Sequence, residues 1–322
     1  MSKIHHAKSI VAGCIAAWAL VACGWHDPVA DTDTGSGSGG NGSTEFSGQD
    51  ASAPVLTRNV AVDGRAWINY RRSQIGLPPL TESVTVDKAA QAHSDYQRIN
   101  NTVTHDQTRG RGGFTGVTLE DRLKSAGYGF AETNAIGEVI SATKSQTGFY
   151  MAEELVTAIY HRFVMFEPVF QEIGTGSATN SDNYAYFTAD FVTNNGYAAG
   201  LPASTLATWP INGQTRVPVD FDSDQEEPDP VPDARLVGYP ISVHTNLTRT
   251  LTVRSFTVRA RNGTANLSTR LLTKDNDTNI STPSVAAIIP IGPLAANTVY
   301  DVSFSGAIDG TAITKNWSFT TK

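Results

Sequence analysis

The sequence predicts an α+β domain followed by a small all-β sandwich, and three observations predict it. Apolar residues recur at helical spacing between residues 56 and 165. Two short strand-like segments, 172–177 and 184–192, come directly after them. Beyond the acidic, Pro-rich stretch FDSDQEEPDPVPDA (221–234), every segment to the end reads as strand and turn. At 322 residues, with 40% hydrophobic residues and 9% aromatics, the chain has room for two domains with real cores. The net charge is −7, and Lys and Arg are scattered singly. No basic stripe could neutralise a row of phosphates, so nucleic acid is not an expected partner.

In chain order, Lys3 and Lys8 precede an apolar stretch, 10–20, too short to span a bilayer comfortably. This pattern is an export signal, residues 1–22. Its end, Leu20-Val21-Ala22-Cys23, resembles the bacterial lipobox. The resemblance implies cleavage before Cys23 and acylation of its sulfur and of the new amine. Several acyl chains anchor stably where one holds marginally, so a protein tethered to the membrane by lipid is expected. Gly24, where Asp is the usual inner-membrane retention signal, implies outer-membrane sorting if the source is Gram-negative. Cys14 leaves with the signal, so no thiol pair remains for a disulfide. Residues 23–54, with TGSGSGGNGS at their centre, read as a flexible tether that holds the first domain roughly 30 Å from the lipid.

The first domain is expected over 55–198. Val60, Gly64, Trp67, Ile68, Arg71 and Ile75 form one helical stripe, stopped by Gly76 and Pro78-Pro79. A second helix is predicted over 86–99, with Val86, Ala89, Ala90, His93 and Tyr96 inward. A third spans 119–126 and stops at Gly127. Residues 135–142 are extended, and a single fourth helix runs over 149–165 to the stop at Glu167-Pro168. Glu153 and Glu154 are read as complementing its dipole, and His93 as a satisfied core residue. Residues 199–236 are expected to be an acidic linker with polyproline stiffness. Asp220, Asp222 and Asp224 look like the start of a calcium loop, but Gln225 and Val231 stand where Gly and a bidentate Glu are needed.

The second domain, 237–322, has predicted strands at 252–260, 266–273, 299–305 and 315–321, with Asp309-Gly310 as a hairpin turn. Leu294, Thr298, Tyr300 and Val302 resemble the run of fibronectin-type sandwiches whose Tyr bonds backbone upstream. NWSFTT (316–321) resembles the last strand of bacterial Ig-like modules. His244, its only His, is read as structural or exposed.

INYRRSQIGLPPL (68–80), AAQAHSDYQ (89–97), Thr104-His105, EDRLKSAGY (120–128), Gly137-Glu138, YHRFVMFEPVFQEIGTG (160–176) and YFTADFV (186–192) occur in an order that resembles the bacterial branch of the CAP superfamily. These are the cysteine-rich secretory, antigen-five and pathogenesis-related proteins. The resemblance implies an α-β-α sandwich with a small antiparallel sheet between helix layers. It also implies a cleft in which His105, Glu138 and His161 gather. The second acid of many animal members falls on Ala158, so the tetrad is incomplete; the family's frequent helix Trp falls on Leu155. His105 and His161 are ligand types for zinc or a similar ion, with Glu138 as third ligand or as the acceptor that fixes a His tautomer. No HExxH or G-x-S-x-G supports a metalloprotease or a serine nucleophile.

Three readings follow. The first is a lipid-anchored envelope protein that binds a lipid, a carbohydrate or an envelope component in the His/Glu cleft without catalysis. The second is a hydrolase, such as a protease, that uses His105, Glu138 and His161 around a metal or a water. The third is an adhesive protein whose contact is made by the sandwich. The missing acid at Ala158 favours the first.

Overall fold

A computed structural model of the chain describes residues 20–24 and 46–322. The rest of the export signal and most of the Gly/Ser tether lie outside the described residues. The elements run β1 (Leu20–Gly24), α1 (Val60–Gln74), β2 (Thr81–Glu82), α2 (Val84–Asn100), α3 (Leu119–Ser125), β3 (Asn134–Thr143), α4 (Gly148–Thr157), α5 (Ile159–Met165), β4 (Glu172–Thr179) and β5 (Ala185–Asn194). Their strands form one sheet in the order β1-β3-β5-β4-β2, in which β3, β5 and β4 are antiparallel neighbours. Helices cover both faces, which is why nine of the ten residues of β5 are buried. One layer holds α2 and α3, the other α1, α4 and α5.

Two glycines set the spacing of the first layer. A Cβ on Gly174 would lie 2.2 Å from the Val86 carbonyl carbon, and one on Gly176 2.2 Å from the Gln91 amide nitrogen. The EIGTG segment of β4 is therefore small so that the backbone of α2 can rest on it. In the other layer, Trp67 is fully buried between Phe149 (centroids 4.8 Å apart) and Phe46 (4.9 Å). Arg71 lies over Trp67 and Trp209, donates to Glu153 Oε2 (2.8 Å) and donates to the Ser47 carbonyl (2.7 Å). The expected tether thus ends early, because from Phe46 onward the chain packs on α1.

The remaining strands are β6 (Ala207–Trp209), β7 (Gln214–Val217), β8 (Phe221–Asp222), β9 (Leu236–Val237), β10 (Ile241–His244), β11 (Leu251–Ala260), β12 (Thr269–Thr273), β13 (Val285–Pro290), β14 (Val299–Ile308) and β15 (Thr311–Thr321). They make two four-stranded sheets, β12-β13-β10-β6 and β11-β14-β15-β7, beside the small β8-β9 pair. Asp309 and Gly310 both have positive φ (48° and 80°) in the β14–β15 turn, as a two-residue hairpin with native twist requires. The Tyr300 hydroxyl accepts from the Ala295 N–H (2.8 Å), the upstream backbone bond its sequence setting implied.

Two departures matter for function. Residues 199–236, expected as a solvated linker, supply the edge strands β6 and β7 and bury Trp209, Phe221, Glu226 and Val231. Pro and acidic content marked a linker, but two of these acids have partners: Asp222 pairs with Arg235 (3.0 Å), and Glu226 accepts the N–H groups at the start of α5. The predicted fourth helix is two helices, broken at Ala158, whose ψ of 126° is extended. Glu153 and Glu154 sit beyond the first turn of α4, and neither serves the dipole. Glu153 accepts from Arg71 and from Trp67 Nε1, and Glu154 accepts from Ser141 Oγ.

Candidate functional site

On the α2/α3 face, α2 ends at Asn101 in the left-handed conformation (φ 46°), which turns the chain into the loop that carries His105. That loop is held by His93. Its Nε2 donates to the Thr104 carbonyl (2.7 Å), and its Nδ1 accepts from Gln107 Nε2 (2.9 Å). With both nitrogens satisfied and burial pushing its pKa down to about 4, His93 is the neutral core residue expected.

His105 Nδ1 donates to Glu138 Oε1 (2.7 Å). Helix α3 opens with a reciprocal cap, Thr118 Oγ1 accepting from the Asp121 N–H and Asp121 Oδ2 accepting from the Thr118 N–H. One residue on, Arg122 donates to Glu138 Oε2 (2.5 Å) and to the His105 carbonyl (2.6 Å). Burial opposes ionisation of Glu138, but Arg122 foremost and the His105 hydrogen bond overcome it, so its carboxyl lies well below the usual range. Across the sheet Asp190 is paired with Glu138 in register. It is fully buried, and burial foremost, with the neighbouring Glu138 carboxylate, raises its pKa well above the ordinary carboxylate range. Two adjacent carboxyls have thus been driven in opposite directions.

His161 lies in α5 and is fully buried. Its Nδ1 faces Glu226 Oε1 (3.2 Å), a residue 65 positions later in the segment expected to be a linker. The same carboxylate accepts the N–H groups of Ile159 (2.8 Å), Tyr160 (2.6 Å) and His161 (3.2 Å). A carboxylate oxygen accepts, so in both pairs Nδ1 carries the hydrogen, and the tautomer with hydrogen on Nδ1 alone leaves the lone pair on Nε2. Both Nε2 atoms, of His105 and of His161, are buried and without a hydrogen-bond partner.

Of the residues assigned to the cleft, the structure brings His105 and Glu138 into contact and gives His161 a different carboxylate. Imidazole Nε2 is a donor that zinc accepts. Glu138 is already taken by His105 and Arg122, which leaves it the role of tautomer-fixing acceptor. Among the described residues, no three His, Cys, Asp or Glu side chains are placed to hold a metal, at this site or around Asp220, Asp222 and Asp224. Each ring offers one Nε2, that of His105 beside Glu138 and that of His161 beside Glu226.

Sequence reasoning missed Arg122, Asp190 and Glu226. Arg122 and Asp190 stood inside quoted motifs, EDRLKSAGY and YFTADFV, where their charge in otherwise core-forming runs was the available signal. Glu226 carried none, since its neighbours are acidic. His244 is structural: burial pushes it down to about 3, its Nε2 meets Ser242 Oγ (2.8 Å), and the rings of Phe163 and Phe166 abut it.

Residues 66–191 match the family described as the cysteine-rich secretory protein family, CAP. Among solved structures, the chain is similar to an extracellular protein containing an SCP domain from Bacillus anthracis, with 24% identity over 44% of this chain and 45% of that one and a TM-score of 0.36. It is similar to an outer surface protein from Borrelia burgdorferi, at 18% identity over 41% of this chain and 90% of that one, with a TM-score of 0.35. A cysteine-rich secretory protein from Staphylococcus aureus is similar at 16% identity over 43% of this chain and 40% of that one, with a TM-score of 0.31. The chain thus spans under half the length of the Bacillus and Staphylococcus proteins. No curated protein matches it. Residues 66–191 thus carry the match to a CAP domain.

Proposed function

We propose that the chain is an extracytoplasmic, lipid-anchored protein whose CAP domain binds a ligand at His105, Glu138 and His161, without catalysis. The observation that carries this reading is the pair of buried imidazoles, each with Nδ1 on a carboxylate and Nε2 without a hydrogen-bond partner. An unpartnered buried acceptor costs free energy unless something binds it. The ligand class is a lipid, a carbohydrate or another envelope component that offers a donor or an electrophilic centre to those nitrogens. The envelope location rests on the export signal and the lipobox-like Leu20–Cys23. Among the described residues no helix is long and apolar enough to cross a membrane. Processing before Cys23 removes three of the five residues of β1 and uncovers the edge of β3 that carries Glu138. The Ig-like sandwich acts as the spacer between the CAP domain and its surroundings.

Calorimetric titration of the mature protein with zinc, as a probe of the two nitrogens, tests the cleft. Heat is expected from the native protein and its loss from a His105→Ala/His161→Ala variant; equal heats from both would exclude the site. The hydrolase reading has one observation in its favour. The Arg122–Glu138–His105 chain ends in an unpartnered imidazole Nε2, the arrangement in which a general base takes a proton from water. It requires turnover that vanishes with His105→Ala while the fold persists.

A further inference from the structure

We propose that Glu226, from outside the CAP segment, is the positioning residue of His161 and supplies the helix cap that Ala158 cannot provide. The inference rests on the reading of His161 as a cleft residue. Ala158 is the N-cap of α5 and has no side-chain oxygen. The first N–H groups of a helix have no partner within it, and a buried helix start without one is costly. The Glu226 carboxylate takes three of them and then the His161 ring, so its charge is fully coordinated although the residue is only 1% exposed.

Glu226 is itself held in place. Its N–H bonds the Ser223 carbonyl (3.2 Å), and the Ser223 hydroxyl, bonded to Asp229, accepts from the Val231 N–H (3.1 Å). Phe221, Val231 and Val237 pack in one cluster with Ala158, Ile159, Tyr160 and Phe163. The residues flanking His161 are tied to the same side of the molecule. Tyr160 donates to Asp277 Oδ2 (2.5 Å), and Arg162 donates to the Pro240 carbonyl (2.8 Å) and Ser242 Oγ (3.1 Å). The ring orientation and tautomer of His161 are therefore set by residues C-terminal to the CAP domain. A side-chain cap at position 158 could replace the bonds to the backbone but not the bond to Nδ1. The two roles of Glu226 are separable on that ground.

The test reads the ring nitrogens of His161 by ¹⁵N NMR, and amide exchange at residues 159–161, in the full chain carrying Glu226→Met, Glu226→Gln or Ala158→Ser/Glu226→Met. Met keeps the length and volume of Glu but has no oxygen, whereas Gln keeps one acceptor. In the native chain and in Glu226→Gln, His161 is expected with its hydrogen on Nδ1. In Glu226→Met it shifts toward the other tautomer, and the three amides exchange about tenfold faster. Ala158→Ser in that background restores amide protection and leaves the ring shifted. An unchanged ring in Glu226→Met, or a ring restored by adding Ala158→Ser alone, would overturn the proposal. Should Glu226→Met not fold, a Glu226→Gln ring with its hydrogen on Nε2 would overturn it equally. The readout needs no ligand, so absence of zinc heat in the native chain would count against the cleft and not against Glu226.

Discussion

The two histidine–carboxylate pairs are built differently. On the α2/α3 face, Glu138 comes from β3, inside the CAP domain, and is gripped by the guanidinium of Arg122. On the α5 side, Glu226 makes no ion pair with an Arg or Lys among the described residues. Its charge is spread over three backbone N–H groups and one ring nitrogen, and it arrives from the chain beyond the domain. The same local chemistry, an Nδ1–H on a carboxylate, is thus reached once by an ion pair and once by a helix cap. An ion pair fails badly when one partner is removed, because the other charge stays buried. A cap fails more gently, because its donors can be served again by any oxygen at the helix start.

The largest effect should follow from breaking the ion pair. Arg122→Met is expected to destabilise by about 3–5 kcal/mol in chemical denaturation, since it leaves Glu138 charged and buried. Arg122→Met/Glu138→Leu should recover most of that loss. Equal destabilisation by the single and double variants would mean that lost packing, not the orphaned charge, is responsible.

Glu226→Met should come next, at about 2 kcal/mol, with Ala158→Ser returning about 1 kcal/mol of it. A loss as large as that for Arg122→Met would erase the distinction between the two pairs.

The faces should also differ in their response to pH. Glu138, held below its ordinary range, contributes stability that is present above the unfolded-state value of a Glu and is lost as pH falls. Glu154, on the face of α4, is pushed up to about 8 by burial, and Glu167 to about 7. In the window from about 4.5 to 8 the native state holds the Glu154 proton and the unfolded state does not, so stability falls as pH rises, by at most ~1.4 kcal/mol per pH unit. Glu154→Gln should flatten that limb of a melting-temperature profile and leave the acid limb unchanged. A steeper alkaline limb in the variant would show the sign to be wrong.

The smallest expected effect is remote from both pairs. Tyr300→Phe removes the acceptor of the Ala295 N–H and should cost about 1 kcal/mol, with no change at either histidine.

Much of the first domain was legible because its signals are local. Gly76 and the Pro pair stop α1, a 3.6-residue stripe runs through α2, and Asp309-Gly310 closes a hairpin in the second domain by the same kind of signal. The break at Ala158 was not legible, since apolar residues continue on both sides of it without Gly or Pro and the carboxylate that caps α5 is far away in sequence. The connecting segment was misread for a related reason. Its Pro and acidic residues imply solvation only when they lack partners, and Glu226 finds four while Trp209 fills the space beside Arg71. At the site, residue types pointed to His105, Glu138 and His161, but which carboxylate each ring faces is a matter of packing.

The most direct measurement is a crossed one: ring ¹⁵N spectra of His105 and His161 in the full chain, recorded for Glu138→Gln, Glu226→Met and the native protein. Two separate carboxylates predict hydrogen on Nδ1 of both rings in the native chain, a change at His161 alone in Glu226→Met, and no change at His161 in Glu138→Gln. Hydrogen on Nε2 of either ring in the native chain, or both rings responding together to one substitution, would contradict it.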